Sequence, residues 1–167
     1  AKYAQLELCL SREINEPRFE ERALRFLGWV AYYNNDYSST VKYSLEAIVI
    51  ADSIGDRNGL ARCYSDLANS YGMMQNASKA NEYYVKAMEI FKEENDLSAL
   101  SDLLKNIGEG NIHFELYDEA EKYYNEALDI DCDIAIANGG GVRAQVESGD
   151  ITLIASTTEN PYFSINP

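Results

Sequence analysis

The chain repeats itself every forty residues, and this constrains its fold more than any other feature of the sequence. Gly28, Ala68 and Gly108 are forty apart, as are Tyr37, Ala77 and Tyr117, then Tyr43, Tyr83 and Tyr123, then Ala47, Ala87 and Ala127. Small and aromatic residues that recur at a fixed period mark one supersecondary unit stacked on copies of itself. Such arrays bury a continuous core between neighbours and offer extended surfaces to partners, so binding is expected before chemistry. The register lapses after about Asp131, where a tail of different character begins.

Each unit reads as two amphipathic helices. In the first, Leu24, Leu27, Gly28 and Ala31 fall at i, i+3, i+4 and i+7, the spacing of one buried helical stripe. Asn34, Asn35 and Asp36 supply turn chemistry, because short Asx side chains satisfy their own backbone. A second helix follows with Val41, Leu45, Ile48 and Val49 expected inward, and it ends near Gly55, a residue suited to a C-cap. The second unit offers Tyr64, Leu67, Ala68 and Tyr71, a turn around Gln75-Asn76, then Ala80, Tyr84, Ala87 and Met88. The third offers Leu104, Ile107 and Gly108, a turn near Leu116-Tyr117, then Ala120, Tyr124, Ala127 and Leu128. The small residues at 28, 68 and 108 are expected to let paired helices approach closely.

This pattern resembles the tetratricopeptide repeat, with the third unit matching best at Leu104, Ile107-Gly108, Tyr117, Ala120, Tyr124 and Ala127. The first unit departs at Thr40, where Ala is usual, and the second has Ala77 in place of the turn aromatic. The resemblance implies an all-α fold, a right-handed solenoid of helix pairs over residues 1–132. Its parts are a half-unit at 1–16 and units at about 20–58, 60–98 and 100–132, followed by a Gly-rich tail at 133–167 that is irregular or β. The family period is roughly 34 residues, so each unit here carries about six more. These are expected in the second helix and its exit loop, at 51–59 and 91–97. Long-period repeats of this kind look like those of bacterial signalling proteins, peptide-pheromone receptors and kinesin light chains. Residues 1–14 align with 41–54 and read as the second helix of a unit whose first helix is absent, with Pro17 in the loop that follows. The chain is thus expected to be part of a longer protein, with end-to-end pairing through the half-unit as a route to a homo-oligomer.

The resemblance places the first helix of each unit along a groove that takes peptides or helices, which makes protein or peptide the expected partner. Carried over by register, the binding residues are Arg25, Trp29 and Tyr32 from the first unit, Asn69 and Met73 from the second, and Lys105 and Asn106 from the third. Aromatic residues and Arg are the types enriched in interface anchors, and an Asn amide offers a peptide backbone both a donor and an acceptor. Trp29, Asp66 and Asp102 stand where a clamp for C-terminal carboxylates needs Asn or a base, so that mode is disfavoured.

The formal charge of −14, without a Lys/Arg cluster, disfavours nucleic acid. No apolar run reaches the length of a membrane span. Cys9, Cys63 and Cys132 are widely spaced and form no CxxC pair, which favours a reducing, cytoplasmic setting over a disulfide framework or a zinc site. With His113 as the sole histidine, no catalytic triad assembles, and the expectation is a non-enzymatic protein without metal or cofactor.

The tail supplies a rival reading. Asn138-Gly-Gly-Gly-Val-Arg143, followed by Gly149-Asp150-Ile151-Thr152, is similar to a substrate-domain segment of 5′-nucleotidases. That resemblance implies nucleotide contacts by Asn138 and Arg143, although the rest of such an enzyme has no counterpart in the chain. Residues 134–137 and 151–155 are short apolar runs consistent with strands.

Overall fold

The computed structural model describes residues 2–138. Seven helices follow one another: α1 Lys2–Glu13, α2 Pro17–Tyr33, α3 Tyr37–Ser53, α4 Arg57–Met73, α5 Ala77–Glu93, α6 Leu97–His113 and α7 Tyr117–Asn138. Helices α2 to α6 are each 17 residues long and are separated by three-residue connections. The additional length of the unit is therefore shared by both helices, rather than placed in the second helix and its exit loop.

The backbone repeats at twenty residues, half the side-chain period. The middle residue of each connection adopts a left-handed conformation: Asn15, Asn35, Gly55, Gln75, Asn95 and Glu115, with φ between 54° and 68°. The next residue sends its amide back to a carbonyl five positions earlier, as Asp36 does to Ala31 at 2.9 Å and Asn76 to Tyr71 at 2.8 Å. This closure satisfies the carbonyls left open at a helix C-terminus. The same residue then caps the following helix. Asp36, Asp56, Asn76 and Asp96 accept from the amides of Ser39, Gly59, Lys79 and Ala99 at 3.1, 2.8, 3.2 and 3.1 Å. Glu16 makes no such bond, but Pro17 occupies the first turn of α2, where a missing N–H costs nothing. Pro17 thus opens a helix instead of sitting in the loop expected for it.

Successive helices pack in pairs within the compact unit Ala1–Asp131, and α4 touches both α2 and α6. The even-numbered helices therefore share one face. Leu24, Leu67, Leu103 and Leu104 are fully buried, and the largest core cluster joins α4, α5 and α6 around Ala68, Tyr84, Ala87 and Leu104. In α3 the buried stripe is Thr40, Ser44, Ala47 and Ala51, whereas Leu45 and Val49, expected inward, are exposed. α3 packs on both α2 and α4, and the residues it buries completely are small ones. Thr40, where the repeat usually has Ala, fits because its hydroxyl donates to the Gly28 carbonyl at 3.1 Å.

Of the two repeat glycines, Gly108 allows the closer approach, since an added Cβ would stand 3.0 Å from the Tyr124 ring; at Gly28 the nearest atoms would be 3.8 Å away. Residues 134–137 are helical, within α7, and not a strand. They continue a helix that meets no Gly or Pro before Gly139, and Ala135 and Ala137 carry the strongest helix propensity. The second expected strand, at 151–155, lies outside the described residues.

Candidate functional site

The shared face of α2, α4 and α6 holds a cavity of about 390 Å³. Its position follows from the repeat: Trp29, Tyr32 and Tyr33 occupy the last turns of α2, Asn69 and Met73 the last turns of α4, and Asn106, Glu109 and His113 the second half of α6. Trp29, Tyr32, Asn69, Met73 and Asn106, five of the residues that register places in the groove, line this one cavity together. Arg25 and Lys105 do not. Arg25 lies one turn before Trp29 and is largely covered, its Nε 3.6 Å from Glu21 and 3.6 Å from Asp66. Lys105 faces the last helix, with its ammonium 2.8 Å from Asp131 and 3.7 Å from Asp102. Asn138 ends α7, and Arg143 lies outside the described residues.

Beneath the cavity, Glu21, Arg25, Cys63 and Asp66 form a buried polar cluster. Glu21 is 5% exposed, and the Cys63 thiol donates to its Oε1 at 3.6 Å. Burial pushes the Glu21 carboxyl above its usual range, with Arg25 opposing. Burial likewise pushes Asp66 up to about 6, against the pull of Arg25 and the Trp29 hydrogen bond. The Cys63 thiol is driven upward by burial, so it is held protonated and packs as a small apolar group. This cluster fixes the aromatic wall. The Trp29 indole N–H donates to Asp66 Oδ1 at 3.0 Å, and the Arg25 guanidinium lies 5.6 Å from the Trp29 ring centre. Trp29 nevertheless stays 45% exposed, anchored at its polar end with its ring on the cavity.

Two amides and a hydroxyl complete the site. The Tyr84 hydroxyl, from α5, donates to Asn69 Oδ1 at 2.6 Å, leaving the Asn69 NH₂ as the free end of that amide. Asn106, also on the wall, makes no side-chain hydrogen bond within the described residues. Tyr32 is braced edge-on by Tyr33 and Tyr37, with ring centres 5.9 and 5.5 Å away. Sequence register assigns Tyr84 to the core, and most of it is there. Its hydroxyl is what reaches the cavity, and the signal for it was the need of a buried phenol for a polar partner. Phe114 and Gly110 also line the wall without having been singled out.

Among the described residues no cluster of His, Cys, Asp and Glu is arranged to hold a metal ion, and no helix is long and apolar enough to cross a membrane. The arrangement can stack, hydrogen-bond and attract charge. No protein-family model matches the chain, and no curated protein matches it.

Proposed function

We propose that residues 2–131 form a tetratricopeptide-like, solenoidal binding module that takes an extended protein segment along the shared face of α2, α4 and α6, as a scaffold or sensory part of a signalling protein. The observation that carries this reading is the cavity itself. It spans three successive repeats, and each contributes one type of group: an aromatic wall from α2, a carboxamide from α4, and a second carboxamide from α6. An extended backbone presents alternating donors and acceptors that amides can answer in pairs, and rigid aromatic rings contribute contact area at low entropic cost. The spacing of Gly28, Ala68 and Gly108 and the paired helices support the repeat assignment.

The test is selection of binders from a displayed library of twelve-residue peptides, followed by titration of the winners using the emission of Trp29, the only tryptophan. Asn106→Ala, which disturbs no internal hydrogen bond, and Trp29→Ala, read by calorimetry, are each expected to weaken binding by about tenfold or more, the scale of a central anchor. Lys122→Ala, at an exposed position of α7 outside the cavity lining, should leave it unchanged. Selected peptides that bind both groove variants as tightly as the parent would refute the groove reading.

A further inference from the structure

We infer that the α2–α4–α6 cavity is specific for a cationic side chain, an arginine or lysine of the bound segment, seated between Trp29, Tyr32 and Glu109. This rests on the groove reading proposed above and adds the chemistry of its anchor.

Four independent observations converge on it. The cavity wall carries two carboxylates, Asp66 and Glu109, and no Lys or Arg. Apart from His113, which shares the wall one turn along α6, the basic groups flanking the cavity are already engaged: Arg25 lies between Glu21 and Asp66, and Lys105 pairs with Asp131. Glu109 is exposed on that wall and, among the described residues, pairs with no cation. The aromatic rings are also suited to a cation, since a ring face attracts positive charge within about 6 Å. Trp29 already holds Arg25 at 5.6 Å on one side, which shows the ring used in that way by the fold itself.

The field inside the cavity has the matching sign. The Tyr32 and Tyr84 hydroxyls are raised above their ordinary range, first by burial and then in part by the negative charge of Glu109. Asp66 Oδ2 is fully covered and already faces Arg25 Nε at 3.6 Å, so Glu109 is the carboxylate left for a ligand. At the same time the chain carries a formal charge of −14, so an approaching basic segment is steered in and an acidic one repelled. A norleucine-like apolar anchor could fill the space but would leave Glu109 desolvated beside it, whereas a guanidinium or ammonium gives it a partner while keeping its alkyl stem on the rings.

The experiment uses fluorescein-labelled positional-scanning hexapeptide pools on the intact chain, read by anisotropy at low ionic strength with Trp29 emission as the second channel. Pools fixed as Arg or Lys are expected to bind about tenfold or more tighter than pools fixed as norleucine or Glu. Glu109→Gln should erase that preference, weakening the Arg and Lys pools without weakening the norleucine pools. Raising salt to 0.5 M should weaken the Arg and Lys pools selectively. Binding that depends on Trp29 yet shows equal or inverted preference among the pools overturns the cationic anchor and leaves the groove standing. Retention of the Arg and Lys preference in Glu109→Gln also overturns it. If no pool shifts Trp29 emission or anisotropy, both the groove and the anchor fall. A circular-dichroism melt of Glu109→Gln that overlays the parent certifies the comparison, and Glu109→Asp, which keeps the charge, should keep the preference.

Discussion

The six left-handed turn residues provide a quantitative test of how this fold is stabilised, because nature has placed four different residue types in one backbone conformation. Glu115 sits at φ 60°, Gln75 at 58°, Asn95 at 54° and Gly55 at 68°. An L-residue in this region costs roughly 1–2 kcal/mol, from Cβ against the following carbonyl. Glycine escapes that cost but loses roughly 0.5–1 kcal/mol more chain entropy on folding. The difference predicts that Glu115→Gly stabilises by about 0.5–1 kcal/mol, and Gln75→Gly by a similar amount. Asn95→Gly should gain less, because Asn tolerates the left-handed region. Gly55→Ala should lose about 1 kcal/mol. At Gly55 an added Cβ would meet no atom within 4 Å, so that loss is backbone strain alone, uncontaminated by a clash. For a chain of this size 1 kcal/mol corresponds to roughly 2–4 °C in Tm. Urea titrations followed by circular dichroism, with unchanged m-values, would give the ordering. If Gly55→Ala unfolds at the same urea concentration as the parent, or Glu115→Gly unfolds earlier, the turns are not held in the strained state described and the argument fails.

Two further predictions concern packing and charge. Gly108→Ala should destabilise by roughly 1–3 kcal/mol, because its Cβ would sit 3.0 Å from the Tyr124 ring; Gly28→Ala, with 3.8 Å to its nearest neighbours, should stabilise by about 0.5–1 kcal/mol through helix propensity. Equal effects at the two glycines in denaturant melts would contradict the difference in fit. Asp66 is raised from an ordinary 3.8 to about 6 in the folded chain, so the folded state holds that proton more tightly than the unfolded state. The burden of the ionised carboxylate is full above about pH 6 and is relieved as pH falls towards 4, and Glu21 shifts in the same direction. Stability should therefore rise between pH 7.5 and 5 by an amount on the order of 1–3 kcal/mol, and Asp66→Asn should flatten the rise. An Asp66→Asn variant with the parent's full pH slope would assign the effect to general surface charge instead.

Much of the fold was legible because the period of small and aromatic residues fixes which faces must meet. Leu24, Leu27, Leu67, Leu104 and Ile107 are buried as their helical spacing requires. Leu45 and Val49 are apolar yet exposed, because the stripe that α3 buries against its neighbours runs through Thr40, Ser44, Ala47 and Ala51 instead. The twenty-residue backbone period was equally present in the string, at Asn15, Asn35, Gly55, Gln75, Asn95 and Glu115. It is masked because three residue types besides glycine fill the six turn positions, and because first and second helices bury different side chains. At residues 134–137 an Ile-Ala alternation fits a strand, but it equally extends a helix that nothing has stopped.

At the cavity, register sufficed to put Trp29, Tyr32, Asn69, Met73 and Asn106 on one face, since equivalent positions in stacked units must line up. Register carries no information on charge pairing between units. Only the tertiary structure shows that Arg25 is spent on Glu21 and Asp66, that Lys105 is spent on Asp131, and that Glu109 has no cation paired with it among the described residues. The forty-residue period is a property of one chain direction and one helix geometry, so it can be read in sequence. The pairing of charges depends on distances of a few ångströms between residues about forty apart, as for Arg25 and Asp66, and those distances exist only once the helices have packed.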